Sequence, residues 1–140
     1  MQNSKPVLLV EDDNIDAMTV RRAFEDLKIK NPLVHKKSGE EALAYLWTKE
    51  GREISVMLLD LNMPKMNGVE FLKIVKGDDE LKRIPVVAMT ISQKHQDVIE
   101  SFKLGVAGYM NKGADYKGFV ETIRTIILYW TLNKLPNEGQ

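Results

Sequence analysis

Acidic residues follow two short apolar runs of the sequence. The run at 6–10 (PVLLV) is followed by the acidic residues 11–13 (EDD), and the run at 54–60 (ISVMLLD) ends in Asp60. A carboxylate at the end of a buried strand costs free energy unless a cation or a hydrogen-bond donor compensates its charge. Crowded carboxylates also repel each other, and a hard divalent cation such as Mg²⁺, which prefers oxygen ligands, relieves that repulsion. The two segments therefore predict a metal site.

Two further apolar runs are followed by groups that bind phosphoryl oxygens. The run at 84–90 (IPVVAMT) ends in Thr90, and the run at 106–110 (VAGYM) is followed by Asn111 and Lys112. Beside a divalent cation, an aspartate can act as a nucleophile toward a phosphoryl group. A hydroxyl and an ammonium group then hold the phosphoryl oxygens as negative charge spreads over them. Together these residues predict phosphoryl chemistry at an aspartate.

The alternation of short apolar runs with helical periodicity predicts the elements that bring these residues together. With a run at 33–38, whose lysines suit a sheet edge, there are five strand–helix units. Such units predict a doubly wound α/β domain, with a parallel sheet and helices on both faces. Asp13 or Asn14 is the expected N-cap of the first helix. Because ligands bind beyond the carboxyl ends of the strands in this architecture, the polar residues are expected to converge there. The expected helical faces are Ala17–Leu27, Ala42–Trp47, Val69–Val75, Val98–Phe102 and Phe119–Trp130.

Length and composition limit the function classes. The chain has 140 residues, no cysteine, and 20 basic against 20 acidic residues. This length suits one domain, and the absence of cysteine excludes a disulfide framework and thiol chemistry. Zero net charge argues against a nucleic-acid partner. The lack of a signal peptide, and of an apolar segment of roughly 18 residues, argues against a membrane partner, so a soluble cytoplasmic protein is expected.

Four motifs together resemble a known family. In order and spacing, LLVEDD, LLDLNMPKMNG, MT and YMNK resemble the receiver domain of two-component response regulators, over residues 6 to about 131. The resemblance implies a flavodoxin-like fold with strand order 2-1-3-4-5 and a single receiver domain over 1–140, without an output domain. It implies a signalling protein that takes a phosphoryl group from a histidine kinase. The implied cofactor is Mg²⁺, with Mn²⁺ or Ca²⁺ as substitutes. Its only catalysis would be its own phosphorylation and dephosphorylation.

The resemblance also implies a role for individual residues. Asp60 would be the phosphoacceptor, and Lys112 would bind the phosphoryl group. Thr90 and Tyr109 would change conformation when Asp60 is phosphorylated. Gly113 departs from the family pattern, which usually has proline after the lysine. The implied metal ligands are Asp12, Asp60, the backbone carbonyl of Asn62, and Glu11 through a water molecule.

The C-terminal segment suggests partners. The tail IILYWTLNKLP is similar to that of the small regulators that partner bacterial phytochrome kinases. Apolar residues such as Ile126, Leu128 and Trp130 occupy more than one face of the last helix, so one face is left for a partner. A phytochrome-type sensor histidine kinase and a homodimer formed through the last helix are therefore expected.

Other interpretations of the same residues remain open. A Mg²⁺-dependent phosphohydrolase would also use an acceptor aspartate and a lysine, and a receiver-shaped binding module would have the fold without phosphorylation. Residues 11–13 could form a solvated turn, and Tyr109 could be an ordinary core residue. His35 and His95 are expected at the surface because they lack a ligand-like partner in the sequence.

Overall fold

The computed structural model describes residues 5–61, 63, 68–90, 103–112 and 115–132, and for residues 90, 131 and 132 the backbone alone. The helix expected over Val98–Phe102 lies outside these ranges. Within them, strands and helices alternate as predicted. The strands are β1 (Val7–Val10), β2 (Leu33–Lys36), β3 (Val56–Asp60), β4 (Val86–Thr90) and β5 (Gly108–Asn111). The helices are α1 (Asn14–Asp26), α2 (Gly39–Leu46), α3 (Gly68–Gly77) and α4 (Tyr116–Ile127), with 3₁₀ turns at Gly51–Glu53 and Leu81–Arg83 and a π-helical turn at Leu128–Leu132.

The strands form one parallel sheet in the order β2-β1-β3-β4-β5. This confirms the doubly wound α/β architecture and its strand order. All residues of β1 and β3 are buried, because each strand has a neighbour on both sides and helices above and below. β2, which contains the predicted lysine-bearing edge, is partly exposed along its whole length.

Helices cover both faces of the sheet, so successive strand residues enter different cores. Leu8 and Val10 of β1 pack with residues of α2 and α3, whereas Val7 and Leu9 pack with residues of α1 and α4. This alternation is the side-chain period of a strand buried on both faces. In the described part of the chain, every helix is too short or too polar to cross a membrane.

Side-chain caps set the point at which the chain turns from strand into helix. The Asp13 carboxylate accepts hydrogen bonds from the backbone N–H groups of Ile15 and Asp16, at 2.8 and 3.0 Å. Asp13, rather than Asn14, is therefore the N-cap of α1. The cap holds the first turn of α1 directly after the acidic residues that follow β1, so this turn borders the carboxyl end of the sheet.

The start of α3 packs against the backbone that follows β3. The Gly68 N–H donates to the Leu61 carbonyl at 3.1 Å. A Cβ on Gly68 would lie 2.4 Å from the Leu61 Cα and 2.6 Å from the Asp60 carbonyl oxygen. These distances are too short for any side chain, so glycine allows α3 to begin close to Asp60.

We predict that Gly68→Ala destabilises the protein and disturbs the end of β3. The added methyl group must displace backbone, and overpacking of this kind costs about 1–3 kcal/mol in unfolding free energy. Gly77→Ala is the matched control, because a Cβ there meets nothing within 4 Å. Alanine at this helical position should leave the stability unchanged or raise it by up to about 1 kcal/mol. Urea unfolding measures both, and equal stabilities for the two variants would contradict the prediction.

Candidate functional site

The strand register brings the predicted polar residues to one edge of the sheet. β1 and β3 pair Val10 with Leu59, which places Glu11 and Asp60 side by side at the next position. β4 and β5 pair Thr90 with Asn111, so that Lys112 comes directly after the paired ends. The residues that end β1, β3, β4 and β5 thus meet at the carboxyl end of the sheet, as the sequence predicts.

Three carboxylates form a compact cluster at this edge. Glu11, Asp12 and Asp60 each offer an oxygen atom within 4.8 Å of the others. Glu11 and Asp60 are buried, with Asp60 2% exposed, whereas Asp12 is exposed to solvent. Oxygen donors in this number suit a hard divalent cation, which usually keeps several water ligands on its open side. The cluster therefore fits a metal ion of the Mg²⁺ type.

Lys112 places a positive charge against the buried carboxylates. Its Nζ lies 2.6 Å from the Glu11 Oε1, 2.7 Å from the Asp16 Oδ2 and 3.5 Å from the Asp60 Oδ2. Burial alone would lower the pKa of Lys112, but the hydrogen bonds to Asp16 and Glu11 more than offset burial and raise it. The side chain is therefore an ammonium ion at neutral pH and supplies the charge that the buried acids need.

Among the described carboxyl groups, Glu11 is the one whose pKa is shifted most clearly by its surroundings. Burial, followed by a hydrogen bond with Asp60, raises the pKa of Glu11 to about 8, although Lys112 acts in the opposite direction. The Asp13 N–H also donates to the Glu11 Oε2 at 3.2 Å. Burial and the contact with Asp60 therefore favour the protonated form of Glu11, which lowers the repulsion between the two acids.

Asp16 is a site residue that the sequence did not reveal. It lies in the first turn of α1, and its carboxylate is one of the two closest partners of Lys112. One signal was present in the sequence: Asp16 directly precedes Ala17 and lies four positions before Val20, and both residues belong to the buried face of α1. An acid at the border of a buried helical face can reach a buried cation.

His35 was expected at the surface, and it lies on the partly exposed edge strand β2. The side chain is half-buried, and its Nε2 lies 2.7 Å from the backbone carbonyl oxygen of Glu11. The register pairs Leu9 with His35, so the imidazole reaches the chain just beyond the end of β1. His35 therefore helps to hold the backbone that carries Glu11 and Asp12.

The remaining predicted site residues are placed only in part. Tyr109 is half-buried and packs against the core on the α2 and α3 side. Thr90 ends β4, and its side chain lies outside the described part of the structure. Asn62, His95 and Gly113 also lie outside the described residues.

A cavity adjoins the cluster on the side of α1 and α4. It has a volume of about 340 Å³. Glu11, Asp16 and Lys112 form its polar wall toward the acidic cluster. Its remaining walls come from α1 (Thr19, Val20, Arg22), β4 (Met89) and α4 (Tyr116, Phe119).

Comparison with known proteins agrees with this fold and site. A family model described as the response regulator receiver domain matches residues 7–124. The chain is 36% identical to response regulator Rcp1 of Synechocystis sp. over 130 residues, which cover 90% of this chain and 88% of Rcp1.

Solved structures give the same assignment. The phosphorylated cyanobacterial phytochrome response regulator RcpA has a TM-score of 0.80 and 32% identity, covering 90% of this chain and 93% of RcpA. The Mn²⁺-bound form of response regulator Rcp1 has a TM-score of 0.79 and 35% identity, covering 94% of this chain and 96% of that one. The family match spans most of the chain, and the parallel sheet carries its acidic cluster and lysine where the four motifs place them. The chain therefore belongs to the response regulator receiver domains, a family of signalling proteins.

Proposed function

We propose that Asp60 accepts a phosphoryl group from a sensor histidine kinase and that the chain acts in a two-component phosphorelay. The observation that carries this proposal is the position of Asp60: its buried carboxylate ends β3 and lies between two further acids and the ammonium group of Lys112. This arrangement compensates the negative charge of a carboxylate nucleophile. Asp12, which is exposed, leaves one side of the cluster open to a donor.

In the proposed reaction, a carboxylate oxygen of Asp60 attacks phosphorus. The bond between phosphorus and the imidazole nitrogen of the kinase breaks, and its electron pair leaves with the imidazole, which takes up a proton. The charged ammonium group of Lys112 lies close enough to Asp60 to bind the oxygens of a phosphoryl group that approaches this carboxylate. The hydroxyl of Thr90 is proposed as the second donor, because its strand ends opposite Asn111, next to Lys112. Such donors stabilise the charge that spreads over the transferred group.

The acidic cluster is proposed to hold Mg²⁺. Asp12 and Asp60 would bind directly, the Asn62 backbone carbonyl would be a third ligand, and Glu11 would bind through water. When bound, the cation neutralises the carboxylates and the incoming phosphoryl oxygens. That the similar protein Rcp1 has a Mn²⁺-bound form supports a divalent ion in this chain, and Mn²⁺ or Ca²⁺ is proposed to substitute for Mg²⁺.

The output is proposed to be a protein contact controlled by occupancy of Asp60. Thr90 and Tyr109 would shift with the phosphoryl group and change the surface near β5. The similarity to phytochrome response regulators supports a phytochrome-type kinase as the partner. We also propose a single receiver domain over 1–140 and a cytoplasmic location. The proposed catalysis is limited to the domain's own phosphorylation and dephosphorylation.

The last helical segment is proposed to form a homodimer. Leu128 and Tyr129 are 38% and 58% exposed in the turn that continues α4, and the Tyr129 ring packs edge-on against Trp130 at 4.6 Å. Apolar and aromatic surface of this kind is typical of an interface. A second copy would cover it without any contribution from the acidic cluster.

We predict that Asp60→Asn abolishes phosphorylation, because the amide is not a nucleophile. With acetyl phosphate and Mg²⁺, the natural sequence should gain one phosphoryl group that is stable in acid and labile in base, as measured by intact mass. Asp13→Asn is the control, since asparagine can still cap α1 while one nearby charge is removed. Phosphorylation that persists in Asp60→Asn, or that is absent from the natural sequence, would contradict the proposal and would favour an unphosphorylated binding module.

We predict that binding of Mg²⁺ releases a proton from Glu11. Since the pKa of Glu11 is about 8 in the metal-free protein and a cation favours the carboxylate, affinity should rise with pH between 6 and 8 and then level off. The slope for one proton is at most about tenfold in affinity per pH unit. Calorimetric titration at several pH values measures it, and Glu11→Gln should show a much smaller slope. Identical slopes in the two proteins would contradict the role of Glu11.

We predict that Tyr129→Glu shifts the chain toward the monomer. Burying a carboxylate at a self-association surface is unfavourable, and sedimentation equilibrium measures the shift. Met18→Glu is the matched control, because Met18 is an apolar residue on α1 that is 64% exposed. Equal dissociation of the two variants, or a natural sequence that is monomeric throughout, would overturn the proposed dimer.

A further inference from the structure

We propose that Asp16 is a positioning residue for Lys112: it holds the ammonium group at the acidic cluster so that one N–H remains directed toward the group on Asp60. This inference rests on the proposed function for its consequence in phosphoryl transfer. The contact itself is independent of that function and can be tested without a phosphodonor.

The distances around Lys112 divide its partners into two groups. The Nζ makes two close contacts, at 2.6 Å to Glu11 and 2.7 Å to Asp16, and a longer one of 3.5 Å to Asp60. An ammonium group has three N–H donors, so the two short contacts fix its orientation and leave the third donor on the Asp60 side. Asp16 thus supplies one of the two points that set this orientation.

Asp16 is the partner that does not belong to the acidic cluster. Glu11 and Asp60, together with Asp12, offer the oxygen atoms that can surround a cation. When a cation binds the carboxylates of the acidic cluster, its positive charge weakens their attraction for Lys112. The carboxylate of Asp16 keeps its charge and its contact, so the ammonium group stays near Asp60 in the state that reacts.

The pair is more than an exposed surface ion pair. The Lys112 side chain is 7% exposed and that of Asp16 is 36% exposed. Asp16 is also held in place, because its backbone N–H donates to the Asp13 cap in the first turn of α1. A carboxylate at a helix N-terminus is further favoured by the helix dipole. The first turn of α1 therefore carries the anchor for Lys112, which is the Asp16 carboxylate.

The cavity explains why an anchor matters at this place. Asp16 and Lys112 both line the space of about 340 Å³ between α1 and α4. A long lysine side chain with room beside it has other rotamers available, and some of them point away from Asp60. The ion pair with Asp16 selects the rotamer in which the ammonium group meets the acidic cluster.

Loss of the Asp16 carboxylate should lower the rate of phosphoryl transfer without weakening the binding of the phosphodonor. Removing the negative charge of Asp16 makes the entrance to the site more positive, so an anionic donor should bind as well as before or better. The fraction of Lys112 that is correctly placed should fall, which lowers the maximal rate. Altered folding alone would not produce this combination.

The experiment compares Asp16→Asn with the natural sequence in single-turnover phosphorylation over a range of acetyl phosphate concentrations with Mg²⁺. The maximal rate should fall about 10- to 100-fold, as for other small losses of alignment, with no increase in the half-saturating concentration. Asp16→Glu should recover part of the rate, because a carboxylate is restored. Glu25→Gln removes an exposed charge from α1 at a residue outside the site and should react at the natural rate.

A second readout needs no donor. In the Mg²⁺-loaded protein, the ¹⁵N–¹H signals of the Lys112 ammonium group should be protected from rapid exchange with water in the natural sequence and in Glu25→Gln. In Asp16→Asn, the same signals should broaden beyond detection. Urea unfolding checks that Asp16→Asn is folded, and Asp16→Ser replaces it if it is not. Retained ammonium signals in the substituted protein, or an unchanged maximal rate, would overturn the inference. If the natural sequence takes no phosphoryl group while the ammonium signals behave as expected, the proposed function fails and the Asp16 contact stands.

Discussion

The need to compensate buried carboxylates governs the architecture around the site. Glu11 and Asp60 lie at strand ends from which water is largely excluded, and an unpaired charge there would cost several kcal/mol. Lys112 supplies the compensating charge from the end of β5. In the sheet, β4 lies between β5 and β3, and both β4 and β3 lie between β5 and β1. A long side chain that crosses the end of β4 meets this requirement. The sheet order, the register and the choice of lysine therefore depend on one another.

In the proposed function, the same charge balance would make the site respond to a change at Asp60. The ammonium group of Lys112, and the raised pKa of Glu11 that favours its protonated form, both lower the cost of placing these acids together. A bound cation or a phosphoryl group on Asp60 would change the charge at the same few atoms, and the hydrogen bonds around them would be redistributed. Elements that hold these atoms from outside the cluster, such as Asp16 on α1 and His35 on β2, limit how far each group can move. In the proposed function, a change of charge at Asp60 would therefore cause a limited movement of the groups around it.

Much of the fold could be predicted because its signals are local. Continuous apolar runs indicated strands buried on both faces, and the helix that the periodicity placed before Gly77 ends at that residue. Asp13 was predicted as one of two possible caps, and the hydrogen bonds to its carboxylate decided between them. The strand order followed from the family resemblance rather than from the residues themselves. The role of Gly68 depends on how closely α3 approaches the chain after β3, which no local pattern records.

By itself, the sequence determined which chemical groups end each strand, since the position of Asp60 after an apolar run and of Lys112 after the last strand follows from order along the chain. Only the tertiary structure decided which groups touch. Glu11 and Lys112 are 101 positions apart, and their contact depends on strand order and register. Asp16 and His35 reach the site through the rotation of α1 and the pairing of β2, which depend on packing against the whole sheet. Periodicity fixes the face that a helix buries, but not the partner that a residue at the border of that face will meet.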